Sequence, residues 1–494
     1  MLAAILAILV VPLAAAVACL VMPGAAAPRI APAVTVIAGI ASFALVLALV
    51  PDAAHGDLSY LSGYLRADAV SVIFLLATGF LYAAVAVYAV GYLRTHRDAT
   101  YARRFYAGFN AFAWAMLAAP LMGSLALLWI AVEVTTIVSA LLVAIEASPT
   151  KEGDSAAEAA WKYLLIASAG LGLALLATIF AYYAGAQVLG EHYDLAIAPL
   201  IQAGPRLPAT PVRLAFLLAV LGYGTKVGLF PVHTWLPDAH SQAPTPVSAL
   251  LSGSLLAVSF YAILRFYQVT AASLGTGFPR DALLAFGVAS LVLAALYVFG
   301  QRDVKRLLAY SSVEHMGILA IGVSFGAPVA LGGVLLHVMA HAAAKGNAFM
   351  SAGVFTVKYG TKQMSSMRDG MRLLPWSGPL FLLAVFALSA LPPFGIFRSE
   401  FEIVAGGLGS GGYAAAAVLV VLVTVAFFGL SASATSMLLT PSPDAGTAAV
   451  RGEPSAWMVV PVLAGLAVLV LLGVHPPGEL TDLITRGAAQ LGTP

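Results

Sequence analysis

GYGTKVGLFPVHTWLPDAHSQAPTPVSALLSG, residues 222–253, places a lysine, Lys226, little more than one helical turn before a proline, Pro231, between two long apolar runs. A charge at the centre of a bilayer costs roughly 2.5–3.5 kcal/mol on insertion scales. A helix interrupted at the same depth frees backbone groups that hydrocarbon cannot satisfy. Both costs fall in one segment, and the usual reason to carry them is the movement of an ion. Composition agrees with a membrane setting. Of 494 residues, 61% are hydrophobic and 9% charged, against about 25% charged in a soluble domain.

Several functions are excluded early. The single cysteine, Cys19, rules out a disulfide framework and a cysteine metal cluster. A net charge of +2 gives no nucleic-acid footprint. No G-x-x-x-x-G-K-[ST] loop is present, so ATP drive from this chain is not expected. The first 22 residues lack a basic n-region and run longer than a signal-peptide core, which reads as a retained first helix.

A spanning helix needs about 20 apolar residues. Fourteen such runs are expected, from 2–22 to 456–474, the seventh (211–231) and twelfth (377–396) continuing past their prolines as shorter second halves. With the N-terminus outside, fourteen lysines and arginines fall in inner loops and five in outer segments, so both termini are expected outside. Five more, Lys162, Lys226, Arg265, Lys345 and Arg398, fall within or at the edge of spans. The gaps 185–210 and 356–376 are the largest, leaving no room for a haem, nucleotide or iron–sulfur domain.

Polar landmarks recur along the chain. Glu133 parallels Glu314 in spacing, Lys162 parallels Lys345, and the break at Pro231 parallels that at Pro392 and Pro393. Paired interrupted helices five spans apart are the sign of an inverted repeat. The expected fold is an all-α polytopic membrane protein of about 14 helices. Its regions are 1–103 (three N-terminal helices), 104–270 and 281–440 (two five-helix units) and 456–494 (last helix and tail).

The intramembrane residues suggest proton transfer. Glu133 sits near the middle of its span; burial raises a carboxyl pKa and a nearby ammonium lowers it, so a Glu133–Lys226 pair switches protonation when one partner moves. The bland alternatives are a static ion pair and a snorkelling lysine. Lys162, only a turn into its span, is either a relay member or a snorkelling side chain. In LLHVMAHAAAKGNAFMSAG, His337, His341 and Lys345 stack at i, i+4 and i+8 on one helix face. Histidine exchanges protons near neutral pH, so the stripe is laid out as a proton wire. No H-E-x-x-H pattern or further ligand accompanies it, so no metal is expected there. Glu314 and His315 in QRDVKRLLAYSSVEHMG extend the wire or make a structural polar contact. Glu400, at the break in LPPFGIFRSEFEIV, is an exit group for the proton on Lys345, with Arg398 expected to pair with it or with lipid head groups. His233, Asp238 and His240 follow the first break and either line a half-channel or order the loop.

These segments resemble the antiporter-like membrane subunits of respiratory complex I and its relatives. The resemblance is carried by the Glu133 helix, KVGLFPVHTWLPDAHSQAPTPVSALLSG, DVKRLLAYSSVEHMG, HVMAHAAAKGNAF and LPPFGIFRSEF. AAWKY, the EHMG ending and FGIFRSEF are most similar to component F of hydrogenase-4-type complexes. The resemblance implies two inverted half-channel units, with Glu133 and Lys226 as the acid and lysine of the first, Lys345 as the central lysine of the second, and Glu400 as the terminal group. The lysine or histidine often found in helix 8 of the family is absent here, leaving Ser252, Ser254, water or the helix 11 histidines to bridge the halves. It also implies a bacterial inner-membrane location, other antiporter-like and small membrane subunits as partners, and a peripheral redox module. No cofactor is expected in this chain; Fe–S, Ni–Fe or flavin groups belong to the partners. Two other readings stay open: an Mrp-type cation/proton antiporter subunit, and the membrane half of an inorganic-carbon uptake complex.

Overall fold

Alternating charge would have built surface helices; the near-absence of charge instead leaves backbone polarity to be satisfied within each segment, which hydrocarbon allows only in a helix or closed barrel. The protein, described here by a computed structural model, is accordingly almost wholly helical over the described residues 1–95, 98–147, 151–441 and 451–492, with no account of the side chains of 95 and 151–154. Arg97, one of the inner-loop basic residues, lies outside the described residues, as does the side chain of Lys151. Among the described residues, the single departure from helix among elements of regular structure is a small antiparallel hairpin, Leu58–Tyr60 paired with Leu65–Ala67 in the register Leu58 to Ala67.

Among the described residues, eleven helices are long and apolar enough to cross a membrane. The remaining three expected runs are also helical, but each falls short for a visible reason. Ala99–Ala118 carries Arg103, Arg104 and Asn110. Ala209–Val227 is diluted by Arg213, Thr225, Lys226 and two glycines. Ser377–Leu388 is cut to 12 residues by the second break.

Among the described residues, four spans form the interior: Ala69–Tyr92, Thr245–Leu274, Val304–Phe325 and Pro328–Tyr359. Pro328–Tyr359, 32 residues long, packs against Ala69–Tyr92, Val304–Phe325, Ser377–Leu388, Gly395–Gly409 and Ala456–Val474. The segment Thr245–Leu274 is buried along its whole apolar window. Ser155–Leu189 and Tyr413–Leu439 lie at the periphery and expose apolar side chains such as Leu165, Ile179, Val421 and Phe428. Small residues bring neighbouring helices close, as they must where lipid gives no hydrophobic drive to association. A Cβ on Gly222 would lie 2.5 Å from the backbone nitrogen of Ala174, and one on Gly287 would lie 2.9 Å from the carbonyl oxygen of Gly317.

Both expected breaks are present. The Lys226 helix ends at Gly228 in the left-handed conformation (φ 83°), and helix resumes only at Leu236–Gln242. Neighbours satisfy the freed backbone: Trp235 Nε1 donates to the Thr225 carbonyl at 2.7 Å, and the Phe230 N–H donates to Ser290 Oγ at 2.9 Å. The second break runs from Ser389 to Phe394, after which Gly395–Gly409 begins. Here Gly473 admits the Pro393 carbonyl, whose oxygen would be 2.0 Å from a Cβ at that position.

Candidate functional site: a buried polar axis

The first cluster is built where Leu125–Val143, Lys151–Leu189 and Ala209–Val227 meet. Lys226 is fully buried. Its ammonium donates to Thr136 Oγ1 at 2.7 Å and to the Tyr163 hydroxyl at 2.5 Å, and lies 4.8 Å from the centre of the Tyr163 ring. The Tyr163 hydroxyl also meets Ser139 Oγ at 2.7 Å. Glu133 stands one turn before Thr136 on the same helix, half-buried, and accepts from Ser168 Oγ at 3.3 Å, while its second carboxylate oxygen has no hydrogen-bond partner. Among the described residues no ion pair joins Glu133 to Lys226; two hydroxyls on the intervening side chains hold the ammonium instead. Lys162 is placed elsewhere: it points to the helix surface, 42% exposed, and pairs with Glu158 one turn earlier. Its neighbour Tyr163 turns inward and takes the contact with Lys226.

Between the two breaks lies His240, completely buried, with Nδ1 2.8 Å from the Leu236 carbonyl oxygen and Nε2 unpartnered. The Trp235 ring, itself 4.4 Å from Tyr163, is 6.0 Å from the His240 ring, and Phe349 is 5.9 Å away on another side. Lys305, one of the fourteen basic residues counted in inner loops, is buried and donates to the Ala243 carbonyl beside this loop. Asp303 caps its own helix through the N–H groups of Lys305 and Arg306 and accepts from Ser241 at 2.6 Å, and Arg306 pairs with Asp238. Ser252 and Ser254 lie in a wide π-type turn, Leu251–Leu255, a feature frequent at functional sites. Ser252 meets Ser312 Oγ at 2.7 Å, whereas Ser254 is held by Thr78, also at 2.7 Å.

The second cluster sits on Val304–Phe325, Pro328–Tyr359 and Gly395–Gly409. Lys345, fully buried, donates to the Leu308 carbonyl at 3.0 Å and to Ser311 Oγ. Glu314 is buried with one oxygen unpartnered. His315 Nδ1 lies 3.1 Å from His337 Nε2, and the His341 ring is 5.2 Å from that of His315 and 6.2 Å from that of His337. His337 Nδ1 is 2.9 Å from Ser399 Oγ, which donates its proton to the Ile396 carbonyl at 2.8 Å. Glu400 completes the group, 8% exposed, with Oε1 unpartnered. It also lines an open cavity of about 400 Å³ beside Ser389, Leu391, Phe397, Leu419 and Phe427. Arg398 pairs with Glu402 at 3.0 Å on the outer side of the helix and not with Glu400.

Arg265 has a different setting from every other intramembrane cation. It is buried against Asp68 at 2.7 Å and is further bonded to Ser71, Tyr261 and Gln268, so its charge is locked in place. Sequence reading missed Asp68, Thr136, Tyr163, Ser311 and Ser399. Spacing held a usable signal for three of them: Thr136 is one turn from Glu133, and Tyr163 and Ser399 adjoin Lys162 and Glu400. Asp68 and Ser311 meet their partners only across helices.

Two interrupted helices, a buried lysine beside each and an axis of histidine, hydroxyl and carboxylate define an antiporter-like membrane subunit. Residues 122–428 match the transmembrane model of the NADH:quinone oxidoreductase/Mrp antiporter family, and the chain belongs to that family. It is 33% identical over 363 residues to a hydrogenase-4 component F homolog of Methylacidiphilum infernorum, covering 72% of this chain and 75% of that one. It is 31% identical to NADH-quinone oxidoreductase subunit N of Desulforudis audaxviator, covering 80% and 79%. Its fold superimposes on a chain of the membrane-bound sulfane sulfur reductase, an archaeal respiratory membrane complex, with a TM-score of 0.86 at 20% identity over 99% of this chain and 97% of that one.

Proposed function

We propose that this chain is the proton-translocating membrane subunit of a complex I-like or membrane-bound hydrogenase-type redox complex, driven by electron transfer in partner subunits. The observation that carries the reading is the pair of fully buried lysines, Lys226 held by two hydroxyls and Lys345 by a hydroxyl and a carbonyl oxygen. An ammonium bonded to neutral oxygens has no fixed countercharge, so its proton is free to move when a nearby carboxylate changes state. Locked charge has the opposite form, as Arg265 and Asp68 illustrate.

In this reading Glu133 receives the signal from a neighbouring subunit. Its half-buried position on a helix with exposed neighbours such as Ile130 and Ile137 suits a group that responds to a partner. The shift passes through Thr136 and Tyr163 to Lys226. Histidine 240, with a free ring nitrogen, takes the bridging place that a helix 8 lysine or histidine holds in the family. The proton then reaches Lys345 and the Glu314–His315–His337–His341 cluster and leaves through Glu400. Lys162, at the surface with Glu158, serves as an entry-side group at most. The finer architecture belongs to the same proposal: fourteen spans, units 104–270 and 281–440 in inverted relation, both termini outside a bacterial inner membrane, and a peripheral module carrying the redox groups.

The test is to purify the tagged chain in mild detergent and identify its stoichiometric partners by mass spectrometry. A [NiFe] or quinone-reductase-like module is the expected result. Recovery of only an Mrp-type set of membrane subunits, or of one soluble zinc protein, overturns redox coupling in favour of antiport or inorganic-carbon uptake.

A further inference from the structure

We propose that His315, His337 and Glu400, with His341 beside them, form a binding site for a divalent transition metal of the zinc class. Stripe spacing along one helix offered two histidines and no third ligand; folding supplies the rest. One ligand atom from each of His315, His337 and Glu400 lies within 4.8 Å of the others, and all three residues are buried. Zinc bonds of about 2.0–2.2 Å to nitrogen and carboxylate oxygen set neighbouring ligand atoms in a tetrahedral site about 3.3 Å apart. His315 Nδ1 and His337 Nε2, at 3.1 Å, are already close to that spacing.

The surrounding bonds orient the donors. Ser399 has one hydroxyl proton and gives it to the Ile396 carbonyl, so toward His337 it acts as acceptor. His337 therefore carries its proton on Nδ1, which leaves the Nε2 lone pair facing His315. A ligating histidine whose other nitrogen donates to a fixed acceptor is the usual outer arrangement of a protein metal site. Glu400 Oε1 and both ring nitrogens of His341 are buried without a hydrogen-bond partner. Charge also has to balance. Glu314 and Glu400 supply two carboxylates to offset a dication, with the Lys345 ammonium opposing from one turn beyond His341. The nitrogen-rich donor set favours Zn²⁺ or Co²⁺ over Ca²⁺ and Mg²⁺, which take oxygen ligands.

A metal held here occupies the lone pairs that the proposed proton route uses, so its functional effect is to block that route. That consequence rests on the proton-transfer reading; binding itself does not, and is read without any transport assay. The experiment titrates Co²⁺ into the full-length chain with its co-purifying membrane subunits in nanodiscs and records the visible ligand-field spectrum. Expected is a tetrahedral-type spectrum that saturates at one equivalent, is displaced by Zn²⁺, and is lost in both His337→Gln and Glu400→Gln. The exposed-histidine variant His475→Ala keeps it. Near-UV circular dichroism identical to the parent establishes that each variant is folded. Absence of a saturable signal in the parent, persistence in either His337→Gln or Glu400→Gln, or loss in His475→Ala overturns the proposal.

Discussion

Lys226 and Lys345 differ from Arg265 in what surrounds the charge, and the difference sets what each residue can do. The lysines are solvated by hydroxyl and carbonyl oxygens; the arginine has a carboxylate at 2.7 Å. Lys226→Ala and Lys345→Ala should each lower substrate-driven proton pumping by about 10²-fold, the scale of a lost proton-transfer group. Dye quenching in inverted vesicles reads this directly, and full quenching by either variant would remove it from the route. Tyr163→Phe keeps the ring against Trp235 and removes only the hydroxyl shared by Lys226 and Ser139. We expect assembly to survive and pumping to fall by less than in Lys226→Ala; unchanged pumping would make Tyr163 a packing residue. Glu133, Lys226, Lys345 and Glu400 were legible in the sequence because a charge within a hydrophobic run stands out against its neighbours. Thr136, Tyr163 and Ser399 had only their spacing from nearby ionisable residues to mark them, because hydroxyls are common in membrane helices and acquire a role from the partner they meet.

At the scale of elements, the two interrupted helices depend on neighbours for their integrity. Trp235 spans the first break by donating to the Thr225 carbonyl, and Ser290 accepts the freed Phe230 N–H from an adjacent helix. Trp235→Phe and Ser290→Ala each strand a backbone group and should cost about 1–3 kcal/mol, measured as lowered midpoints of thermal unfolding in detergent. An unchanged midpoint in both would mean that water serves these groups equally well. At the second break, Gly473→Ala would push a methyl against the Pro393 carbonyl. Overpacking of that kind costs typically 1–3 kcal/mol, and the variant should unfold earlier than its neighbour Val474→Ala, which alters an exposed side chain. Proline and glycine marked both breaks in the sequence. The bonds that make the breaks tolerable come from residues tens of positions away and carried no local signal.

Across the whole molecule, an ion-pair network ties the C-terminal helix Gly478–Gly492 to the interior. Asp68 links Arg265 to Arg66, Arg66 bonds Asp57, and Asp57 bonds Arg486 and Gln490; Gln268 in turn donates to the Gln490 carbonyl. Asp68→Asn leaves Arg265 buried without its countercharge, which costs about 3–5 kcal/mol. The double variant Asp68→Asn with Arg265→Met should recover much of the loss, as thermal unfolding of the purified complex would show. Equal destabilisation by the single and double variants would argue that the network is held by packing and not by charge. Sequence counting placed Arg265 only among the five cations within or at the edge of spans, with no role assigned to it. Its aspartate lies 197 positions earlier in the chain, so only assembly of the helices distinguishes a structural clamp from a mobile proton carrier.

Composition and hydrophobic run length determined that this chain crosses a membrane as helices, because hydrocarbon accepts no unpaired backbone and few charges. Proline, glycine and the lone ionisable residues inside those runs located the two breaks and the lysines beside them. The tertiary structure alone decided which oxygens hold each lysine, and that Lys162 turns outward while Tyr163 turns in to meet Lys226. It also decided that Glu400 joins two histidines from separate helices. The physical reason is the same in each case. The cost of burying a polar group is a property of the segment that carries it, and is visible locally. What offsets that cost is a partner on another helix, and its identity depends on a rotation about the helix axis that no single segment specifies.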